Sequence, residues 1–145
     1  MKEATYGATL STKLVKVFGG KIEKLSDRVG LGRPDYLWIL DRKASFFETK
    51  IGKHYGYGVD GTPQCYPWKE VNDLRQFEVC KQWSRHAPLI YAIYYPDLKM
   101  SAILPLIELE SFRTGIGSER IPCIQGIRFV KGHGAEVLGE LAWKQ

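Results

Sequence analysis

Residues 32–51 read Gly-Arg-Pro-Asp-Tyr-Leu-Trp-Ile-Leu-Asp-Arg-Lys-Ala-Ser-Phe-Phe-Glu-Thr-Lys-Ile, and this stretch decides the fold. The apolar run 36–40 and the aromatic run 44–51 flank the polar residues 41–43. Short runs rich in aromatic and β-branched residues on either side of a polar turn are typical of a β-hairpin. The sequence therefore predicts antiparallel strands joined at 41–43.

The ionisable residues of this hairpin are expected to converge. Side chains alternate along a strand, so Glu48 and Lys50 share one face of the second strand and Thr49 lies on the other. Asp35 stands at the start of the first strand, where it can lie across from Glu48. An acid pair and a cation within an apolar hairpin are hard to explain as packing, which makes them candidate site residues.

These residue types indicate metal-dependent phosphodiester chemistry. Mg²⁺ and similar hard cations are usually held in proteins by one or two carboxylates together with substrate phosphate. Asp35 and Glu48 are the candidate ligands, and Thr49 is expected to contribute only its backbone carbonyl, because its hydroxyl faces away. Lys50 is the candidate to orient the attacking water or to stabilise charge on the phosphate.

The stretches Gly32-Arg33-Pro34-Asp35 and Glu48-Thr49-Lys50 resemble the motif of the PD-(D/E)xK nuclease superfamily. Archaeal Holliday-junction resolvases and virus-type replication-repair nucleases are the most similar groups, over roughly residues 1–95. The resemblance implies a restriction-endonuclease-like α/β fold, with a mixed central sheet flanked by helices in an αβββαβ core. It also implies that Asp35 and Glu48 bind Mg²⁺ or Mn²⁺ and that Lys50 assists hydrolysis.

Further residues are assigned through the same resemblance. Many members add an acidic residue from the first helix, for which Glu3 is the candidate and Glu23 the weaker one. Virus-type members often carry a glutamine on the helix after the second motif, and Gln76 stands at that place as a candidate catalytic residue. The competing interpretation of Glu3 and Gln76 is a solvated helix residue.

Structural explanations compete with the functional ones for the main residues too. Asp35 after a proline could cap a turn, and Glu48 and Lys50 could lie on the solvated face of an edge strand. A second Pro-Asp, at Pro96-Asp97, can be compared with the first. The glutamates that follow it have no lysine two residues later. That second Pro-Asp is predicted to be an ordinary turn at the end of a strand.

Composition indicates one intracellular globular domain spanning residues 1–145, with a core at 1–95 and a C-terminal extension at 96–145. The chain has 145 residues, 44% of them hydrophobic, and no run long enough to cross a membrane. Its three scattered cysteines suggest neither a zinc site nor disulfides. The net charge of +5 favours a polyanionic partner.

The periodicity of apolar residues gives the order of elements. Helices are expected at 3–18, 70–85 and 134–143, with Val17, Val71, Leu74 and Trp83 among the inward residues. Strands are expected at 21–25, 36–40, 44–51, 89–95, 101–112 and 121–131.

An unusually long irregular loop is expected at 52–69, directly after Lys50. Aromatic residues can stack on unpaired bases while neighbouring cations meet phosphates. The candidate nucleic-acid-binding residues in and around this loop are Arg33, Lys53, His54, Tyr55, Tyr57, Lys69 and Arg75. The competing interpretation is a loop folded over the edge of the domain with its aromatic residues buried.

The sequence as a whole predicts a Mg²⁺- or Mn²⁺-dependent deoxyribonuclease acting on duplex, branched or single-stranded DNA, in the cytoplasm or in a host cell if the source is viral. A homodimer is compatible with the residues after 96. The alternative is a non-catalytic nucleic-acid-binding module that retains the fold. Endonuclease or exonuclease action and RNA as substrate stay open.

Overall fold

The computed structural model describes residues 2–25, 32–65, 74–114 and 128–131, and it shows a mixed α/β architecture. The described helices are α1 (Glu3–Phe18), α2 (Leu74–Trp83) and α3 (Leu106–Thr114). The described strands are β1 (Lys21–Lys24), β2 (Tyr36–Leu40), β3 (Lys43–Ile51), β4 (Gly56–Tyr57), β5 (Pro63–Gln64), β6 (Leu89–Tyr95), β7 (Met100–Pro105) and β8 (Arg128–Lys131).

The main sheet has the strand order β1-β2-β3-β6-β7-β8. Strands β3 and β6 pair in parallel, and the other neighbours pair antiparallel. All seven residues of β6 are buried, as expected for a continuous apolar strand in the middle of a sheet covered on both faces. The order α1-β1-β2-β3-α2-β6 confirms the predicted αβββαβ core and the mixed sheet flanked by helices.

Each face of the sheet is covered by helix. On one face, α1 buries a stripe of Tyr6, Leu10 and Leu14 at the spacing of one side of a helix. On the other face, α2 buries Phe77 and Cys80. Since side chains of β3 alternate between these layers, Phe47 packs in the α1 layer and Phe46 in the α2 layer. Glu48 therefore faces the layer that α2 covers.

The β2–β3 turn is tighter than predicted. Lys43 pairs with Leu40, so the turn consists of Asp41 and Arg42 alone, not of residues 41–43. Asp41 and Arg42 have φ angles of 49° and 66°. Positive φ at both central residues is the geometry of a two-residue turn whose twist matches that of the strands it joins.

The long loop prediction was wrong in one respect. Within residues 52–65, β4 and β5 pair into a small antiparallel ribbon that the sequence did not predict. Residues 66–73, which include Tyr66, Trp68, Lys69 and Val71, lie outside the described residues. The described part of the next helix begins at Leu74, which is 55% exposed and not inward as predicted. Val17 of α1 is likewise 50% exposed.

The strand predicted at 101–112 ends early. Strand β7 stops at Pro105, and α3 begins at Leu106. Residues 96–99 form the turn predicted for Pro96-Asp97, with Lys99 N donating to the Pro96 carbonyl. Strand β8 falls within the predicted strand 121–131, whereas the predicted helix 134–143 lies outside the described residues. Within the described ranges, no helix is long and apolar enough to span a membrane.

Candidate functional site

The β2–β3 pairing brings Asp35 and Glu48 together, as the sequence predicted. Tyr36 pairs with Phe47, so the residue before β2 comes beside Glu48. Glu48 is 1% exposed, and its carboxyl group is in hydrogen-bonding contact with that of Asp35, which is only half-buried. A buried carboxyl group is therefore joined to a carboxyl group that reaches towards solvent.

Asp35 is held in place by Thr49. Its Oδ2 accepts hydrogen bonds from the Thr49 backbone N at 2.9 Å and from the Thr49 hydroxyl at 3.1 Å. The prediction that the Thr49 hydroxyl faces away from the acidic residues is therefore wrong. Asp35 precedes β2 and does not lie within it, so its side chain can reach past the sheet edge to the hydroxyl. Oδ1 of Asp35 takes no part in these bonds to Thr49.

Helix α2 supplies further partners to Glu48. Gln76 Nε2 donates to Glu48 Oε2 at 2.8 Å, and the Cys80 thiol donates to the same oxygen at 3.1 Å. Gln76 and Cys80 are four residues apart, so they lie one above the other on the helix face that covers the sheet. Gln76 Nε2 also donates to the Arg33 carbonyl at 2.8 Å, which ties α2 to the segment before Asp35.

The pKa of Glu48 is raised. Burial is the largest cause, followed by the hydrogen bond to Asp35 and by the negative charge of Asp35, while the donors Gln76 and Cys80 oppose the rise. Two carboxyl groups in contact cannot both ionise cheaply in a dry site. Glu48 therefore keeps its proton near neutral pH in the absence of a cation, and the site is suited to exchange that proton for one.

Glu3 lies within electrostatic range of the pair. The Glu3 pKa is raised mainly by desolvation, lowered by the charge of Lys50 and raised by that of Asp35. The first residue of α1 and the last residues of β3 thus meet at the same end of the sheet. Glu23, the weaker candidate, instead forms an ion pair with Lys21 at 3.3 Å on the edge strand β1.

Cys80 and Tyr91 are site residues that the sequence reasoning missed. Tyr91 lies opposite Glu48 in the β3–β6 register, and its buried hydroxyl is beside the Cys80 thiol. Burial is the main cause of the raised pKa of both groups, with the charge of Glu48 adding to it. The i, i+4 spacing from Gln76 was the available signal for Cys80.

Three of the basic candidates, Arg33, Lys53 and Arg75, are exposed. Lys69 lies outside the described residues. Tyr55 and Tyr57 are 45% and 62% exposed, so the alternative of a loop with buried aromatic residues is wrong for these two.

His54 is more constrained than the sequence suggested. Its Nδ1 lies 3.0 Å from Asp97 Oδ2, and its ring meets Tyr57 edge-on at 5.4 Å between centroids. The turn residue Asp97 therefore fixes His54 in place. Because the contact occupies Nδ1, less of the His54 ring is available to bind a phosphate.

Across the described ranges, no three His, Cys, Asp or Glu side chains converge as a complete metal site. At this end of the sheet, the oxygen ligands for a cation are the carboxyl groups of Asp35 and Glu48, with that of Glu3 farther away. A cation here would need substrate or water to fill its remaining positions, which is how Mg²⁺ is usually bound.

Comparison with known proteins gives a similarity to solved structures. No protein-family pattern matches the chain, and no curated protein matches it. Among solved structures, the chain is similar to Hjc, a Holliday junction resolvase of the hyperthermophilic archaeon Archaeoglobus fulgidus, at 17% identity and a TM-score of 0.48. The match covers 74% of this chain and 75% of that one.

Proposed function

We propose that this protein is a Mg²⁺- or Mn²⁺-dependent deoxyribonuclease that hydrolyses phosphodiester bonds, with Asp35, Glu48 and Lys50 at the reaction site. The observation that carries the proposal is the contact between the carboxyl groups of Asp35 and Glu48, with a raised Glu48 pKa. A purely structural role would favour an apolar residue at the position of Glu48, because burying a carboxyl group costs free energy.

The donor set fits a hard divalent cation. Asp35 and Glu48 would hold it through carboxylate oxygens, with the Thr49 backbone carbonyl as a further ligand and Glu3 as an outer one. When bound, such a cation supplies a water of lowered pKa and neutralises charge that builds on the phosphate. The Cys80 thiol already donates a hydrogen bond to Glu48. A cation that favours sulfur ligands, such as Zn²⁺, therefore fits the site less well than a hard cation.

The protein side chains then have separate tasks. Gln76 and Cys80 fix one oxygen of Glu48, so the other oxygen keeps its direction. Thr49 fixes Oδ2 of Asp35 in the same way. Lys50 lies two residues after Glu48 on the same strand face. There it would hold the attacking water or a phosphate oxygen. Its positive charge lowers the pKa of Glu3.

The whole chain is proposed to act as one domain. Strands β7 and β8 extend the sheet beyond β6, so the described strands after residue 95 belong to the same sheet as the site. The predicted C-terminal extension is in this respect part of the scaffold.

The experiment is a cleavage assay on labelled linear duplex, single-stranded, flap and four-way-junction DNA, with Mg²⁺, Mn²⁺ or EDTA. We expect metal-dependent cutting that falls by at least about 100-fold in Glu48→Gln, since removing a pre-organised electrostatic group typically costs that much. Glu23→Gln on the edge strand is the matched control and should cut like the wild type. Cutting by Glu48→Gln at the wild-type rate would overturn the assignment.

A non-catalytic nucleic-acid-binding module is the second candidate. The exposed Tyr55 and Tyr57 favour nucleic-acid binding, but their exposure is no evidence for hydrolysis. This candidate predicts that the folded wild type binds DNA in EDTA and cuts none of the four substrates with either metal.

A further inference from the structure

The β4–β5 ribbon is a small, well-defined projection from the end of β3. Its ladder is continued at both ends, because Tyr55 N donates to the Gln64 carbonyl at 2.7 Å and Gly58 N donates to the Thr62 carbonyl at 2.7 Å. Asp60 closes the tip by accepting hydrogen bonds from the backbone and hydroxyl of Thr62. The tip carboxylate is therefore engaged within its own turn.

Two tyrosines are exposed on the first side of the ribbon. Tyr55 and Tyr57 lie on either side of Gly56, whose φ angle is 147°. They are 45% and 62% exposed, and Val59 next to the tip is fully exposed. Glycines 56 and 58 alternate with the tyrosines, so these positions add no side chains beside them. An exposed group of apolar side chains on so short a ribbon is the kind of patch that marks a binding surface.

The ribbon is fixed to the body of the protein. Gly52 N donates to the Tyr94 carbonyl at 2.7 Å, and a Cβ at Gly52 would lie 2.9 Å from the Ile93 side chain, so the approach to the ribbon packs tightly on β6. The contact between His54 Nδ1 and Asp97 Oδ2, at 3.0 Å, ties the segment between β3 and the ribbon to the β6–β7 turn. Tyr57 in turn contacts the His54 ring. Tyr57 is thereby held in position relative to the body of the protein.

The ribbon lies close to the carboxyl pair along the chain. The chain runs from the end of β3 at Ile51 through residues 52–55 into the ribbon, at the carboxyl end of the parallel strands β3 and β6, where ligands of α/β sheets commonly bind. Tyr57 is seven positions after Lys50, which limits their Cα distance to about 25 Å even for an extended chain. A DNA strand that is bound at the carboxyl pair and runs towards the ribbon would therefore reach the tyrosines within a few nucleotides.

We propose that Tyr55 and Tyr57 stack on unpaired bases of a DNA strand, so that the substrate has a single-stranded, frayed or branched segment beside the scissile phosphate. The choice of DNA rests on the proposed function. Bases of an intact duplex already stack on each other, whereas unpaired bases have free faces that aromatic side chains can cover. Lys50 and Lys53, which precede the tyrosines, provide the positive charge that the strand's phosphates require.

The test is fluorescence anisotropy in EDTA with three labelled 20-mers: oligo-dT, oligo-U and a blunt DNA duplex. The variants are Tyr55→Ala/Tyr57→Ala and Tyr55→Phe/Tyr57→Phe. We expect the alanine pair to weaken oligo-dT binding by at least about 10-fold, with less than twofold loss on the duplex, because stacking is lost and phosphate contacts remain. The phenylalanine pair should bind oligo-dT like the wild type, since it keeps the rings.

Several results would overturn the inference. An equal loss on duplex and oligo-dT would mean that the ribbon does not select unpaired bases, and tighter binding to oligo-U would reject DNA as its partner. Sedimentation that shows a dimer in the wild type and a monomer in the alanine pair would assign the tyrosines to a second copy of the chain.

Because EDTA removes metal, the anisotropy result does not depend on catalysis. Selective oligo-dT binding without any cleavage would leave the ribbon inference standing and reject the nuclease. Cleavage that depends on Glu48, with no effect of the tyrosine variants, would do the reverse.

Discussion

Gln76 Nε2 lies 2.8 Å from Glu48 Oε2 and equally 2.8 Å from the Arg33 carbonyl oxygen, so one amide group joins α2, β3 and the segment before Asp35. A primary amide has two N–H groups, and these contacts can use both. The Glu48 carboxyl group is thereby oriented from the helix side. Gln76 is in this sense a positioning residue.

We expect Gln76→Ala to weaken Mg²⁺ binding or cleavage by about 10- to 100-fold, the usual effect of losing a partner that orients a metal ligand. Titration of Mg²⁺ against cleavage rate measures both quantities. Gln82→Ala is the control, because Gln82 is an exposed glutamine of the same helix. Equal effects of the two substitutions would show that the amide does not orient Glu48.

The acidic pair should make stability depend on pH. The Glu48 pKa is raised in the folded protein, so the fold favours the protonated carboxyl group. Its contribution is fully present below the ordinary value of 4.5 and is lost as pH rises through the folded pKa. In EDTA, we therefore expect the free energy of unfolding to fall from weakly acidic to alkaline pH, by at most about 1.4 kcal/mol per pH unit for one proton. Urea unfolding at several pH values measures it.

Glu48→Gln removes the titrating group and keeps its size. In EDTA, the free energy of unfolding should therefore depend less on pH in this variant. Saturating Mg²⁺ should weaken the same pH dependence in the wild type, because the cation replaces the proton. Parallel curves for the wild type and Glu48→Gln would contradict the raised pKa of Glu48.

Cys80 should support Glu48 through its hydrogen bond and not only through packing. Cys80→Ala removes the donor at 3.1 Å from Glu48 Oε2, whereas Cys80→Ser keeps a donor at that position. We expect the alanine variant to show a smaller Mg²⁺-induced rise in Tm than the serine variant, by calorimetry. Cys65→Ala is the control, because this cysteine is also fully buried, and its loss should lower Tm without changing the response to Mg²⁺. A normal Mg²⁺ response in Cys80→Ala would reduce Cys80 to a packing residue.

The sequence was informative wherever one local rule decided the outcome. Alternation along β3 places Glu48 on the α2 face, and the apolar run of β6 places that strand in the centre of the sheet. The short motif then predicted the contact between Asp35 and Glu48, although the turn that sets the strand register has two residues and not the predicted three.

Contacts between distant segments could not be predicted in the same way. Cys80 looks like an ordinary apolar helix residue until β3 is placed beneath it. Thr49 reaches Asp35 because Asp35 lies before β2, a detail of chain direction that strand alternation does not contain. The β4–β5 ribbon has only two residues in each strand, too few to show a period of two.

Gly7 shows how a weak helix residue can be required by packing. The sequence gives no reason for a glycine within α1, where alanine would favour the helix by about 1 kcal/mol. A Cβ at Gly7, however, would lie 2.9 Å from Cε2 of the Tyr36 ring. Tyr36 is buried and stacked on Phe47 with centroids 4.7 Å apart, so it has little room to move.

Overpacking of this kind usually costs about 1–3 kcal/mol, which exceeds or offsets the gain in helix propensity. We expect Gly7→Ala to lower the free energy of unfolding by about 1 kcal/mol in urea denaturation. A Tyr36→Phe background lacks the tyrosine hydroxyl, which is the atom nearest to the added Cβ. In that background Gly7→Ala should lower the free energy of unfolding by less. Stabilisation by Gly7→Ala in the wild-type background would mean that α1 can shift away from β2, and that Glu3 at its first turn is not held at a fixed distance from Asp35.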